Sequence, residues 1–221
     1  MELVPDIHRI DGVNAHPYLI LGEELVLIDA GMSKNPSRIL AYLEQTVKRR
    51  PSEIKTIIIT HAHIDHTGGL ARLVGATGAK VAIHAVEAPY LSQEKMMGYP
   101  KGGMGVIYRM VRPFIRPKPV KADILLNDGD TIAGMRVIHI PGHTPGSIAL
   151  LDEKRRVLFP GDTLQLRDGQ VGGPPVKFTL DPELVRQSIE KLKSLDFEVM
   201  LAGHGEPILT GASGKVRDGR Y

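Results

Sequence analysis

The segment from residue 57 to residue 69 limits what this chain can fold into more than any other stretch. Residues 57–59 are all isoleucine, which is typical of a buried strand. After Thr60, three histidines and one aspartate follow within six positions: His61, His63, Asp65 and His66. A buried strand does not accommodate four such side chains, so we predict that they lie in the loop at its end. Imidazole and carboxylate groups together suit zinc, iron or manganese.

Other predicted strands end in the same two residue types. One loop cannot supply the ligands of two metal sites, so further strand ends should contribute. The strand ends that carry such residues are at Asp29, His143, Asp162 and His204. The remaining histidines lie in or beside strands without liganding neighbours and are predicted to be core or surface residues: His8, His16, His84 and His139. Of these, His16 alone can border the site, because it follows the loop at residues 12–14.

The two halves of the chain repeat one plan. Residues 18–29 and residues 148–162 each predict a hairpin that ends in an aspartate. Each hairpin is followed by a predicted helix and then by a strand whose exit carries histidine. The repeat predicts an α/β protein of two similar halves, with two sheets inside and helices outside. Both sets of strand ends would then lie at one edge.

A single domain is predicted for residues 1–221, with an insertion at about 85–120. The insertion is rich in glycine, methionine and basic residues, and residues 106–111 predict a short amphipathic helix. Two interpretations stay open: a lid over the mouth of the site, and a dimer contact or solvated cap. Elsewhere, helices are predicted from residue 36 to about 48 and after Asp181. The polar tail at 210–221 is expected to be loose.

Composition limits the partners and the ligands. The chain is 42% hydrophobic and 24% charged, without an apolar run near the roughly 20 residues of a membrane helix. No signal peptide is visible at the start, so we expect a cytoplasmic protein that does not bind membranes. Cysteine is absent, so a metal must be held by histidine and carboxylate. The net charge is only +3 and the basic run at 109–121 lacks a stacking platform, so no nucleic-acid partner is expected. Few asparagines and many prolines favour a thermophilic source.

Four motifs, taken together, resemble those of a known family. They are Thr60-His61-Ala62-His63-Ile64-Asp65-His66, Gly142-His143-Thr144-Pro145-Gly146, Gly161-Asp162-Thr163 and Gly203-His204-Gly205. They occur in the order found in the metallo-β-lactamase superfamily, and with Asp29 they span nearly the whole chain. The resemblance implies a four-layer αββα sandwich, in agreement with the repeat.

The same resemblance implies a ligand set for two metals. His61, His63 and His143 would hold one metal, Asp65, His66 and His204 the other, and Asp162 would bridge them. Asp29 would act behind the ligands by fixing the loop and one ligand. Two Zn2+ ions per chain are expected, although the same ligands accept iron or manganese. Such a metal pair shares one hydroxide that attacks the substrate, and Asp65 would be the catalytic residue that orients it and accepts its proton.

Departures from the family pattern narrow the function. Class B β-lactamases generally lack a carboxylate where Asp162 stands, whereas glyoxalase II, lactonases and phosphodiesterases have one. Gln165 stands where quorum-quenching lactonases have tyrosine, and too few residues follow His204 for the helical domain of glyoxalase II.

The leading hypothesis is a dinuclear metal hydrolase of a small ester-like substrate, namely a thioester, lactone or phosphoester, with weak β-lactam hydrolysis at most. The alternatives are an iron-dependent enzyme similar to persulfide dioxygenases, and a non-catalytic module with structural metals. A small-molecule substrate is the expected partner, and a homodimer is compatible with the sequence.

Overall fold

Seven strands in chain order form the first sheet of the computed structural model, which describes residues 1–96, 116–219 and 221. Their bounds are β1 Glu2–Val4, β2 Ile7–Arg9, β3 Tyr18–Ile20, β4 Leu25–Ile28, β5 Ile54–Ile59, β6 Lys80–His84 and β7 Ile124–Leu126. Neighbours from β1 to β4 pair antiparallel, whereas neighbours from β4 to β7 pair parallel. The carboxyl ends of β4 and β5 therefore meet at one edge of this sheet.

The later strands form a second sheet and a separate hairpin. Their bounds are β8 Thr131–Ile132, β9 Met135–His139, β10 Ile148–Asp152, β11 Val157–Phe159, β12 Gln165–Arg167, β13 Gln170–Gly172 and β14 Val199–Met200. The second sheet has the order β14-β11-β10-β9-β8, while β12 and β13 pair only with each other. Because β9 and β11 both pair antiparallel with β10, and β14 pairs parallel with β11, these three strands point the same way.

Helices cover the outer faces of the two sheets. Those in the described ranges are α1 Pro36–Tyr42, α2 Ile64–Thr67, α3 Leu70–Thr77, α4 Ala88–Leu91, α5 Pro182–Lys193 and α6 Ala212–Arg217. A π-helical turn at Leu43–Val47 extends α1, which confirms the predicted helix from 36 to about 48. The Asp181 carboxylate accepts hydrogen bonds from the Glu183 and Leu184 amides and caps α5, as predicted. None of these helices is long and apolar enough to cross a membrane.

Alternation of side chains along the strands builds the apolar layers. In β4, Val26 and Ile28 join a core between the sheets that includes Phe159 of β11. Leu25 and Leu27 point the other way and join a core with residues of α1 and α3. The outer face of the second sheet packs in the same manner against α5 and α6. The layers run helix, sheet, sheet, helix, which confirms the αββα sandwich.

The repeat of the two halves is visible in the strand pairing. The β3–β4 and β10–β11 hairpins are both antiparallel, and in each half a later strand pairs parallel with the second member of the hairpin, β5 with β4 and β14 with β11. At the shared edge the Ile148 amide donates a hydrogen bond to the Thr60 carbonyl at 3.1 Å. The strand ends of both halves therefore lie together.

A helix lies near the end of the chain at Ala212–Arg217, so the prediction of a loose tail at 210–221 was wrong. In α6, Ala212 and Val216 are both 0% exposed and belong to the core above the second sheet. The Glu198 carboxylate fixes the start of this helix by accepting hydrogen bonds from the Thr210 hydroxyl and the Gly211 amide, both at 2.7 Å. Polar composition misled the prediction, since two apolar residues one turn apart can bury one face of a short helix.

The predicted insertion at about 85–120 is described only at its two ends. The Val120 amide donates to the Leu91 carbonyl at 3.2 Å, and the Gln93 side chain donates to the Pro117 carbonyl at 2.5 Å. The two flanks of the insertion therefore lie side by side. Residues 97–115, which include the predicted helix at 106–111, lie outside the described residues.

We predict that Val216→Ala lowers the free energy of unfolding by about 2 kcal/mol, because two buried methyl groups and their packing are lost. Val176→Ala is the matched control, since Val176 is 72% exposed. Its effect should stay within about 0.5 kcal/mol. Chemical denaturation followed by circular dichroism measures both variants. Equal values would show that α6 does not contribute to the core.

Candidate metal centre

The candidate site lies at the edge where β4, β5, β9, β11 and β14 end. β5 delivers the loop that begins at His61, and α2 starts within this loop, directly after His63. Every predicted ligand reaches this edge and joins at least one group of potential metal ligands: His61, His63, Asp65, His66, His143, Asp162 and His204. Residues from both sheets therefore converge at one place.

Site A consists of His61, His63 and His143, whose candidate ligand atoms lie within 4.8 Å of one another. His61 Nε2 is 3.2 Å from His63 Nδ1. Burial lowers the pKa of all three histidines, and that of His143 falls to about 3, because burial disfavours the charged imidazolium. Neutral imidazole is the form that binds a metal, so the three histidines of site A are in the protonation state that metal binding requires.

Site B consists of Asp65, His66 and His204, with His204 Nε2 3.1 Å from Asp65 Oδ2. Burial favours neutral His66, but the carboxylates of Asp162 and Asp29 outweigh it and hold the pKa of His66 well above its usual value. Burial is likewise overcome at His204, whose pKa rises to about 9 because Asp162 and Asp65 accept hydrogen bonds from it. Burial opposes ionisation of Asp65, yet the hydrogen bond from His204 lowers the pKa of Asp65 to about 2. Site B therefore attracts positive charge.

Asp162 lies between the two sites. Its Oδ1 is 3.2 Å from His66 Nε2, and its Oδ2 is 3.3 Å from His204 Nε2 and 3.6 Å from His143 Nε2. Burial raises the pKa of Asp162, but the positive charge of His66 and the hydrogen bond from His204 outweigh it, so the pKa stays well below the usual range. One carboxylate thus faces ligand nitrogens of both sites.

Asp29 fixes the floor of the site from behind. Its Oδ2 is 2.7 Å from His66 Nδ1 and accepts a hydrogen bond from the Thr60 hydroxyl at 2.9 Å. Its Oδ1 accepts a hydrogen bond from the Thr60 amide at 2.9 Å. With Nδ1 of His66 held by Asp29, Nε2 is the ring nitrogen that faces Asp162. This is the usual arrangement behind a metal-binding histidine.

The chemistry of the site fits divalent cations. Several buried polar atoms lack a hydrogen-bond partner within the described part of the chain, and they include three candidate ligand atoms: His66 Nε2, His143 Nε2 and Asp162 Oδ1. His66 Nε2 and Asp162 Oδ1 face each other at 3.2 Å, but not in the geometry of a hydrogen bond. Buried polar atoms are rarely left unsatisfied, and nitrogen and carboxylate ligands suit zinc, iron or manganese. The residues present therefore fit one cation in site A and one in site B.

The other histidines stay outside both sites. His8 Nδ1 contacts the Tyr42 hydroxyl at 3.0 Å. The rings of His84 and His139 stack with their centroids 4.1 Å apart. The His16 amide donates to the Gly203 carbonyl at 2.8 Å, next to His204, so His16 borders site B as expected.

Glu87 was not among the residues predicted from the sequence. It is fully buried, and its carboxylate accepts hydrogen bonds from the Ala62 amide at 2.7 Å and from the Gly146 amide at 2.8 Å. A search for carboxylates just after predicted strands could have found Glu87, because Glu87 follows the end of β6 by three residues. The prediction considered histidine and aspartate alone.

The fold and the site together define an αββα protein with a candidate centre for metal ions. The family model of the metallo-beta-lactamase superfamily matches residues 10–204. The chain therefore belongs to the metallo-β-lactamase superfamily, as the motif resemblance implied.

Related proteins agree with this assignment. The chain is 31% identical to the probable metallo-hydrolase YflN of Bacillus subtilis (strain 168), over 94% of this chain and 86% of that protein. It is 30% identical to the acyl-coenzyme A thioesterase MBLAC2 of Homo sapiens, over 69% of this chain and 59% of that protein. Among solved structures, TTHA1623 in a di-iron-bound form has a TM-score of 0.69 and 31% identity, covering 91% of this chain and 92% of that one. The family protein TTHA1429 of Thermus thermophilus has a TM-score of 0.72 and 24% identity, covering 98% and 79%, and shows the fold alone.

We predict that Gly203→Ala lowers metal affinity by about 10–100-fold. A methyl group at this position would collide with Asp162 Oδ1 and would lie 2.8 Å from His66 Cε1, so both side chains must shift. Gly75→Ala in α3 is the control, since an added methyl group there meets nothing within 4 Å. Competition with a chromophoric chelator measures both variants. Unchanged affinity in Gly203→Ala would show that these two side chains do not bind metal.

Metal uptake should release protons. Near pH 7.5 the ring of His204, with a pKa of about 9, is protonated in the metal-free protein, and a cation must displace that proton. Affinity should therefore rise with pH and level off above a pH of about 9. Isothermal titration calorimetry in two buffers of different ionisation enthalpy counts the protons. Uptake without proton release would contradict the assignment of His204 to site B.

Proposed function

We propose that this protein is a dinuclear metal hydrolase of small ester-like substrates, and of thioesters in particular. The observation that carries the proposal is the position of Asp162. Its two carboxylate oxygens face nitrogens of site A and of site B at 3.2–3.6 Å. A carboxylate shared in this way ties two cations into one reactive centre, which is a recurrent arrangement in hydrolases.

The proposed ligands divide as the two sites do. Site A would hold one cation, site B the other, and Asp162 would contact both. Once bound, the cations would supply Lewis acidity and an activated water at neutral pH. Zinc is the first candidate, and the di-iron form of TTHA1623 supports iron as the second.

Among the described residues, the partly exposed ligands mark the open side of the centre. His66 is 0% exposed and His143 is 2% exposed, whereas the side chains of Asp65 and His204 are 28% and 23% exposed. Substrate and water would therefore enter past the partly exposed ligands, which are Asp65, His204 and His63. The pKa of Asp65, at about 2, keeps its carboxylate ionised, so it can accept a hydrogen bond from the attacking water and orient it.

The surroundings of site A favour a substrate with an apolar acyl group. The Leu180 amide donates to the His143 carbonyl at 3.2 Å, which places the segment at 176–180 beside this ligand. Val176, Phe178 and Leu180 in this segment are 72%, 45% and 63% exposed. An exposed apolar strip next to a polar centre is typical of a substrate surface. The similarity to the thioesterase MBLAC2 supports the same class.

A substrate panel with elemental analysis tests the proposal. We expect two divalent cations per chain, with acyl-coenzyme A thioesters hydrolysed faster than lactones, phosphodiesters or β-lactams. Asp162→Ala should lose metal from both sites and about 1000-fold in kcat/KM, because metal catalysis is worth several kcal/mol. Asp196→Ala, with an 80% exposed side chain, is the control and should keep both properties.

Each outcome of the panel has a clear meaning. Full activity of Asp162→Ala with two metals bound would refute the shared-carboxylate centre. Faster lactone or phosphodiester hydrolysis would keep the centre but replace thioesters as the substrate class. Oxygen uptake with a persulfide, and no hydrolysis of any ester, would favour the dioxygenase-like alternative.

A further inference from the structure

Glu87 joins the two loops of site A without being one of its ligands. Its Oε2 accepts the hydrogen bond from the amide of Ala62, the residue between His61 and His63. Its Oε1 accepts the hydrogen bond from the amide of Gly146, in the turn that carries His143. The first loop leaves one sheet and the second lies between strands of the other. One carboxylate therefore links both sheets at the metal centre.

Burial of the Glu87 carboxylate carries a large free-energy cost, which its hydrogen bonds to the two loops must offset. An ionised carboxylate removed from water costs several kcal/mol unless donors compensate it. Burial raises the pKa of Glu87, and the hydrogen bonds from Gly146 and Ala62 work against this rise. Hydrogen bonds to an ionised acceptor are about twice as strong as neutral ones. The two amides are therefore held tightly.

The turn that contains Gly146 packs directly against Glu87. A methyl group at Gly146 would lie 2.7 Å from Glu87 Cγ and 3.0 Å from His84 Nδ1. The Glu87 amide donates to the His84 carbonyl at 2.8 Å, and the Glu87 carbonyl accepts from the Tyr90 amide at 2.9 Å. Glu87 is thus anchored between the end of β6 and α4, and it cannot follow the loops if they move.

We propose that Glu87 is the positioning residue of site A, which sets the distance between the His61–His63 loop and His143 and so the metal affinity of that site. Site B has its own carboxylate, because Asp29 holds His66 at 2.7 Å. Loss of Glu87 therefore weakens site A selectively. This inference rests on the two-metal centre proposed above.

The test is the Co2+ affinity of each site in isolation. His204→Ala removes a ligand of site B and leaves site A, whereas His63→Ala does the opposite. Glu87→Gln is added to each background, since glutamine has one acceptor oxygen where glutamate has two, so one amide loses its partner. We expect Glu87→Gln to lower the Co2+ affinity about 10–100-fold in the His204→Ala background and less than about 3-fold in the His63→Ala background.

A control separates this effect from the general loss of a carboxylate that accepts a hydrogen bond from a backbone amide. Asp123 Oδ2 accepts a hydrogen bond from the Val81 amide at 2.8 Å, at the opposite end of β6 from Glu87. Asp123→Asn should leave the Co2+ affinity of both backgrounds unchanged. Equal weakening of both sites by Glu87→Gln, or no weakening of either, overturns the proposal for Glu87. Failure of the wild-type protein to bind two Co2+ ions overturns the metal centre instead.

A measurement on the wild-type protein covers the case in which Glu87→Gln does not fold. Hydrogen exchange of the Ala62 and Gly146 amides, followed by nuclear magnetic resonance, reports on the two hydrogen bonds directly. Both amides should be strongly protected and shifted downfield, as donors to a carboxylate are. Exchange of either amide at the rate of an unstructured peptide would show that Glu87 does not hold that loop.

Discussion

A carboxylate buried among histidines is the feature on which this structure depends. Asp162 sits within 3.6 Å of nitrogens from His66, His143 and His204. Removing such a charge from water costs several kcal/mol unless positive charge compensates it. The raised pKa values of His66 and His204 show that the surrounding carboxylates favour positive charge at site B. In the proposed centre, cations would meet that need better than protons, because they would also bind the neutral imidazoles of site A.

The sandwich explains how ligands so far apart in sequence can meet. Period-two alternation buries one face of each sheet against the other and the opposite face against helices, so the strands are rigid up to their last residue. Ligands placed directly after those residues inherit that rigidity. The bond from the Ile148 amide to the Thr60 carbonyl then fixes the two sheets relative to each other at the edge that carries the site. The carboxylates of Asp29 and Glu87 then hold the loops by accepting hydrogen bonds from them.

Much of this arrangement could be predicted from the sequence, and the reason is chemical. Metal ligands must be particular side chains, so the candidate ligands from His61 to His204 could be predicted from the sequence. The apolar runs before them mark strands strongly, so the four layers could be predicted as well. Glu87 was missed because the prediction considered only histidine and aspartate at strand ends, and because its backbone-amide partners cannot be recognised from residue type. α6 was missed because only Ala212 and Val216 mark its buried face. Gln165 was seen only as a departure from lactonases, yet it is 2% exposed and donates to the Asp162 carbonyl at 3.3 Å.

The most direct measurement is anomalous diffraction from crystals of the metal-loaded protein, collected at the absorption edge of the bound metal. Two peaks are predicted, one among His61, His63 and His143 and one among Asp65, His66 and His204, with the Asp162 carboxylate between them. A single peak, or peaks away from Asp162, would contradict the shared-carboxylate centre.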